Sequence, residues 1–135
     1  MDKKTGVAVV GYGGMGGWHT KLLKSIPEAD LKGIYDIRPD RGQAAEEAGL
    51  FSYGSFDAVL DDKEVDLITI ATPNDTHKDI AIKAMSAGKN VVCEKPVALS
   101  SVEVQEMTEA ADKYNVVFTV HQNRRWDEDY LVARQ

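Results

Sequence analysis

Three glycines, Gly11, Gly13 and Gly16, stand in the stretch "GYGGMGG", directly behind the apolar run "GVAVV". Glycine weakens strands and helices alike, so a stretch this rich in it needs a reason. The spacing is G-x-G-x-x-G, placed between a strand-like and a helix-like segment. There the first glycine makes a tight turn, the second lets a pyrophosphate approach the backbone, and the third lets helix and strand pack closely. The helix N-terminus behind them offers unpaired N–H groups and a partial positive charge to phosphates. Tyr12, Gly14 and Met15 lie within the same loop and join it as candidate contacts, although Gly14 and Gly17 are extra to the pattern. The ligand implied is a dinucleotide; the alternative is a strand–helix turn that binds nothing.

An acidic residue about twenty positions on should end the second strand and grip the adenosine ribose. Asp36 stands there, at the end of "GIYD", followed by Ile37 and Arg38. Its carboxylate accepts hydrogen bonds from ribose hydroxyls and repels a 2′-phosphate. Two like charges ~4 Å apart cost roughly 4 kcal/mol at an effective dielectric near 20. NAD is therefore expected over NADP, with Arg38 and Arg41 close enough in sequence to offset part of the preference. The alternative for Asp36 is a solvated carboxylate at a strand end.

These residues need elements to hold them. Strands are expected at 6–11, 29–37, 65–73, 90–96 and 116–123, with a short one at "FSYG". Helices are expected at 14–26, 39–49, near "SFDAVLDD", at 75–88 and in "SSVEVQEMTEAADKYN", the last opened by a capping box of Ser100 and Glu103. Several strands are apolar without alternation, as when helices cover both faces of a sheet. The fold class is α/β, a doubly wound parallel sheet of about six strands with helices on both faces, the Rossmann fold. Ligands of such sheets bind beyond the carboxyl ends of the strands. The polar clusters "TPND", "EKP" and "HQNRR" all fall at those ends.

Bulk properties narrow the field. The 135 residues suffice for one domain with a real core. No apolar run approaches the ~18 residues of a membrane helix, and the N-terminus lacks a signal-peptide pattern. A net charge of −6 argues against nucleic acid as a partner. The single cysteine, Cys93, excludes an internal disulfide and fits a reducing cytoplasm. No His or Cys pattern suits a metal, so none is expected. His19 and His77 fall in first turns of helices, where packing or local hydrogen bonding is expected of each; His77 is also counted among cofactor contacts.

The segments "GYGGMGGWH", "YDIR", "ATPNDTH" and "CEKP", in this order and spacing, resemble the glucose–fructose oxidoreductase/inositol dehydrogenase/MocA family over about residues 5 to 126. By that resemblance Lys95 matches the lysine that reaches the substrate hydroxyl beside the nicotinamide and transfers its proton or polarises its oxygen. A lysine partly desolvated beside a positive ring gives up its proton more readily, which suits a general base. The alternative is a surface lysine at a strand end. Glu94 would lie near the cofactor or Lys95. Ala71, Thr72, Pro73 and Asn74 match the segment passing the pyrophosphate and nicotinamide ribose; Asn74 or Asp75 could instead cap the next helix. Gln122 matches a position near the nicotinamide, and Asn123 and Arg124 match positions near the substrate.

The resemblance implies an NAD(P)-dependent oxidoreductase passing hydride between nicotinamide and a secondary alcohol of a sugar, inositol or polyol. A homo-oligomer is expected with it. Residues 1–122 would form the dinucleotide-binding domain, and 123–135 the start of a second, substrate-binding domain otherwise absent. The chain is then expected to be a fragment or truncated product that binds NAD without turnover and exposes apolar surface. The alternative is a non-catalytic NAD(H)-binding or redox-sensing module, which would have no use for Lys95.

Overall fold

The computed structural model describes residues 2–122 and 127–134. Valine and alanine fill β1 (Thr5–Val10), whose last five residues are buried. Such a run is covered on both faces, and β1 is accordingly an inner strand of the sheet. α1 (Gly14–Lys24) leads to β2 (Ala29–Tyr35), and α2 (Pro39–Glu47) opens on a proline, whose fixed φ suits a first helical turn. The Ser55 hydroxyl accepts the Ala58 N–H to start α3 (Phe56–Asp61). Then follow β3 (Leu67–Ile70), a single 3₁₀ turn (Asn74–Thr76), α4 (His77–Ser86), β4 (Asn90–Glu94), α5 (Ser101–Tyr114), β5 (Phe118–His121) and α6 (Glu128–Arg134).

All pairings are parallel and the strand order is β2-β1-β3-β4-β5. The chain thus winds outwards in both directions from β1. Side chains alternate across the sheet into two cores. Val9 and Ile34 face α1 and α2, packing with Ala45. Ala8, Val10, Ile68, Ile70, Val91 and Cys93 face the other way, onto α3, α4 and α5. Helices on both faces therefore follow from the strand pattern. The expected strand at "FSYG" does not form. Ser52 makes one isolated bridge to Ile34, because the chain bends at Gly54 and Ser55 already caps α3, so the sheet has five strands.

Strand ends fall short of the expected ranges: β2 stops at Tyr35 and β3 at Ile70, where the backbone turns towards Asp36 and Pro73. The capping box holds with a shift of one residue. Ser100 Oγ accepts the Glu103 N–H at 3.3 Å, and Glu103 Oε2 accepts the Leu99 N–H at 2.9 Å. Away from the glycine loop, the buried ammonium of Lys89 donates to Asp62 O and Val65 O, each at 2.7 Å, tying the segment between α3 and β3 to the start of β4. Met15, Trp18 and Leu22 make an exposed apolar stripe along α1, continued by Ile26 just beyond its end. Among the described residues no helix is long and apolar enough to cross a membrane.

Candidate functional site

β1 has β2 on one side and β3 on the other, so a crevice opens where the chain leaves the sheet in opposite directions. The glycine loop lies at its floor. Gly11 has φ +94°, and a Cβ there would stand 2.5 Å from Ala71 O. Its N–H donates to Tyr35 O at 2.7 Å, fixing the loop between both neighbouring strands. Gly16 is buried, and a Cβ on it would overlap Gly11 O. The first and third glycines therefore answer a packing demand.

Gly13 differs. It is the N-cap of α1, no side chain caps that end, and no acid occupies the first turn. Nothing lies within 4 Å of the place its Cβ would take, nor of that of Gly14. The first N–H groups of a helix have no partner within it. An uncapped N-terminus under open space is a cradle for a diphosphate, so the residues present fit a dinucleotide.

The cleft beside it has a volume of about 490 Å³, within the range of small-molecule sites. Asp36 stands in its wall, half-buried, with both oxygens engaged. Oδ2 accepts the Tyr12 N–H and Oδ1 the Arg38 N–H, each at 2.8 Å. The carboxylate braces the glycine loop as well as facing the cleft. Arg38 turns outwards onto Asp40, Nη2 to Oδ2 2.7 Å, and holds that carboxyl below its usual range. Much of the cation that could offset Asp36 is thus spent on a neighbour. Ile37, Arg41 and Phe56 complete this side, and Ala71, Thr72 and Pro73 form the opposite wall.

Behind that wall His77 is fully buried. Its Nε2 lies 2.9 Å from Thr72 O and its Nδ1 3.0 Å from Pro96 O. Both ring nitrogens of His77 face backbone carbonyls, and the ring links the loop after β3 to the loop after β4. Neither Asn74 nor Asp75 supplies a capping side chain; both are exposed on the 3₁₀ turn.

At the end of β4 the Glu94 carboxylate is buried between two histidines, while Lys95 is exposed. Glu94 Oε1 lies 2.5 Å from His19 Nε2 and 2.8 Å from His121 Nδ1; Oε2 accepts the Lys95 N–H at 3.3 Å. Burial pushes the Glu94 carboxyl up, but the bond from His19 and the nearness of His121 outweigh it and hold it below its ordinary value. Burial pushes His19 down, against the pull of Glu94, so its neutral form donates to the carboxylate. The Trp18 ring packs against both imidazoles, with centroids 5.0 Å and 5.5 Å away.

No sequence pattern brought these three residues together, since they come from positions 19, 94 and 121. Two signals were nonetheless present. His19 is three residues beyond Gly16 on the buried face of α1, and His121 is the register partner of Glu94. Of the other expected residues, Gly14 and Met15 are exposed at the tip of α1, and Gln122 is exposed just after β5. Asn123 and Arg124 lie outside the described residues. Cys93, at the centre of β4, is buried, and burial with the adjacent Glu94 charge pushes its thiol up to about 12.

Over residues 5–122 the chain matches the Gfo/Idh/MocA family, described as an oxidoreductase family with an NAD-binding Rossmann fold. It is 41% identical over 111 residues to an uncharacterized oxidoreductase of Streptococcus pneumoniae, covering 82% of this chain and 30% of that protein. It is 32% identical over 131 residues to the myo-inositol 2-dehydrogenase of Thermotoga maritima, covering 96% of this chain and 39% of that enzyme. The crystal structure of an NAD-binding protein from Listeria innocua superposes with a TM-score of 0.96 at 47% identity, covering 98% of this chain and 38% of that one. The chain thus spans between 30% and 39% of the length of these relatives.

Proposed function

The chain belongs to the Gfo/Idh/MocA oxidoreductase family, and we propose that it forms the dinucleotide-binding part of an NAD-dependent dehydrogenase acting on a secondary alcohol of a sugar, inositol or polyol. The observation that carries this is the uncapped tip of α1 at Gly13, with the Asp36 carboxylate fixed beside it. The nicotinamide, when bound, supplies the hydride acceptor.

This chain's own residues do the rest. The N–H groups of the first turn of α1 hold the diphosphate, and Asp36 accepts from the adenosine ribose while excluding a 2′-phosphate. Phe56 and Thr72 line the cleft beside the proposed adenosine site. Lys95 Nζ, exposed at the carboxyl end of β4, takes the hydroxyl proton of the alcohol or polarises its oxygen. Asn123 and Arg124 are proposed to contact substrate, and residues 123–135 to lead into a substrate-binding domain. A homo-oligomeric enzyme of the cytoplasm completes the proposal.

Titration of the purified chain with NAD⁺ and NADP⁺ side by side, followed by calorimetry, tests it. Saturable binding of NAD⁺, tighter than NADP⁺, is expected. No binding of either, by a folded chain, rejects the proposal.

A further inference from the structure

The His19–Glu94–His121 cluster has no part in gripping the diphosphate or the adenosine, and nothing above explains why a carboxylate should be buried there. Glu94 is 7% exposed and His19 5%. Both imidazoles meet the same oxygen, at 2.5 and 2.8 Å, and the second oxygen receives the Lys95 N–H. Two histidines and a carboxylate also suggest a metal, and their donor atoms lie within 4.8 Å of one another. Zinc bonds of ~2.1 Å at tetrahedral angles set neighbouring ligand atoms roughly 3.4 Å apart, whereas these separations are those of two N–H donors on one acceptor. The cluster is a held anion.

Its position gives the anion a use. Asp36 follows β2 and Glu94 ends β4, on opposite sides of β1 in the sheet. A dinucleotide with its ribose at Asp36 and its diphosphate at Gly13 must extend across β3 towards the end of β4. Its nicotinamide ring then lies on the side of the crevice that holds Glu94, which rests on the function proposed above. That ring carries a positive charge when oxidised and none when reduced. We propose that Glu94, clamped by His19 and His121, biases the site towards the oxidised dinucleotide. The ammonium of Lys95 opposes it only weakly, because it is exposed and screened by water, while the carboxylate is buried and less screened.

The test compares the affinities of the folded chain for NAD⁺ and NADH with those of Glu94→Gln and Glu94→Asp, by calorimetry or nicotinamide fluorescence. A charge pair about 6 Å apart at an effective dielectric near 20, partly screened, amounts to about tenfold in relative affinity. Glu94→Gln should shift the affinity ratio about tenfold towards NADH, and Glu94→Asp, which keeps the charge, should restore most of it. An unchanged ratio in Glu94→Gln overturns the inference while leaving the proposed function standing. Failure of the wild-type chain to bind either form overturns both. Should Glu94→Gln not fold, Glu94→Met serves as the second neutral variant. Should neither fold, the wild-type ratio decides, and NADH held more than about tenfold tighter than NAD⁺ overturns the inference.

Discussion

Asp36 does two things at once, and replacing it separates them. Its oxygens accept the Tyr12 and Arg38 N–H groups at 2.8 Å each, so it braces the glycine loop, and its charge faces the cleft. Asp36→Asn keeps one acceptor oxygen and removes the charge. The lost charge-assisted bond to the loop costs about 1.5 kcal/mol, roughly tenfold in NAD⁺ affinity. The 2′-phosphate is relieved of a repulsion of roughly 4 kcal/mol at ~4 Å, of which screening in a half-open cleft leaves about 2 to 3 kcal/mol. The ratio of NAD⁺ to NADP⁺ affinity should therefore fall by about 30- to 150-fold. Arg38 has little to add to the wild-type balance while it is paired with Asp40, so Asp40→Asn should release it and improve NADP⁺ binding further. Calorimetric titration of wild type and both variants with the two dinucleotides measures this. If Asp36→Asn weakens NAD⁺ and leaves NADP⁺ equally weakened, the carboxylate only braces the loop and the selectivity argument is wrong.

The remaining predictions concern the loop, the sheet and acid. Gly13→Ala has room for its Cβ and should change stability by less than about 1 kcal/mol while weakening NAD⁺ at least about tenfold; Gly11→Ala, at φ +94° against Ala71 O, should lose more than about 3 kcal/mol in a denaturant melt. Lys89→Ala leaves two buried carbonyls without their donor and should cost about 2 to 5 kcal/mol by the same assay, with NAD⁺ affinity unchanged in the folded fraction. On acidification, His19 and Glu94 act in the same direction. The unfolded chain protonates His19 at its ordinary 6.5 while the fold resists, so stability declines below that pH. Glu94, held below its ordinary 4.5, contributes stability that is complete above that pH and is lost as the pH falls through its lower folded value. Melting temperature should be flat between pH 7 and about 8, drop below 6.5 and steepen below 4.5, and should fall again above the ordinary thiol value of 9.0, where the unfolded chain ionises Cys93 and the fold does not; a rise between pH 7 and 5 contradicts the assignment.

The fold was legible wherever a local rule and a tertiary demand coincided. The valines of β1, the proline opening α2 and the serine capping α5 each act through neighbours within a few residues. "FSYG" was misread because strand formation there depends on how much chain remains before the Ser55 cap, a matter of length rather than residue type. At the site, the tight turn at Gly11, the close packing at Gly16 and the place of Asp36 just after β2 were legible because they are written in spacing along one strand–helix–strand unit. The partners of His77 were not legible, because Thr72 O and Pro96 O are backbone atoms of two different loops. The Glu94 cluster escaped for a stronger reason: its members are 27 and 75 residues from one another's bonded partner and meet only when α1 packs over the ends of β4 and β5.

A crystal structure of this chain grown with excess NAD⁺ tests the central claim most directly. The account predicts the diphosphate against the first-turn N–H groups of α1, over Gly13, with the adenosine ribose on Asp36. A diphosphate bound elsewhere, or a loop left empty while the chain binds NAD⁺ in solution, contradicts it.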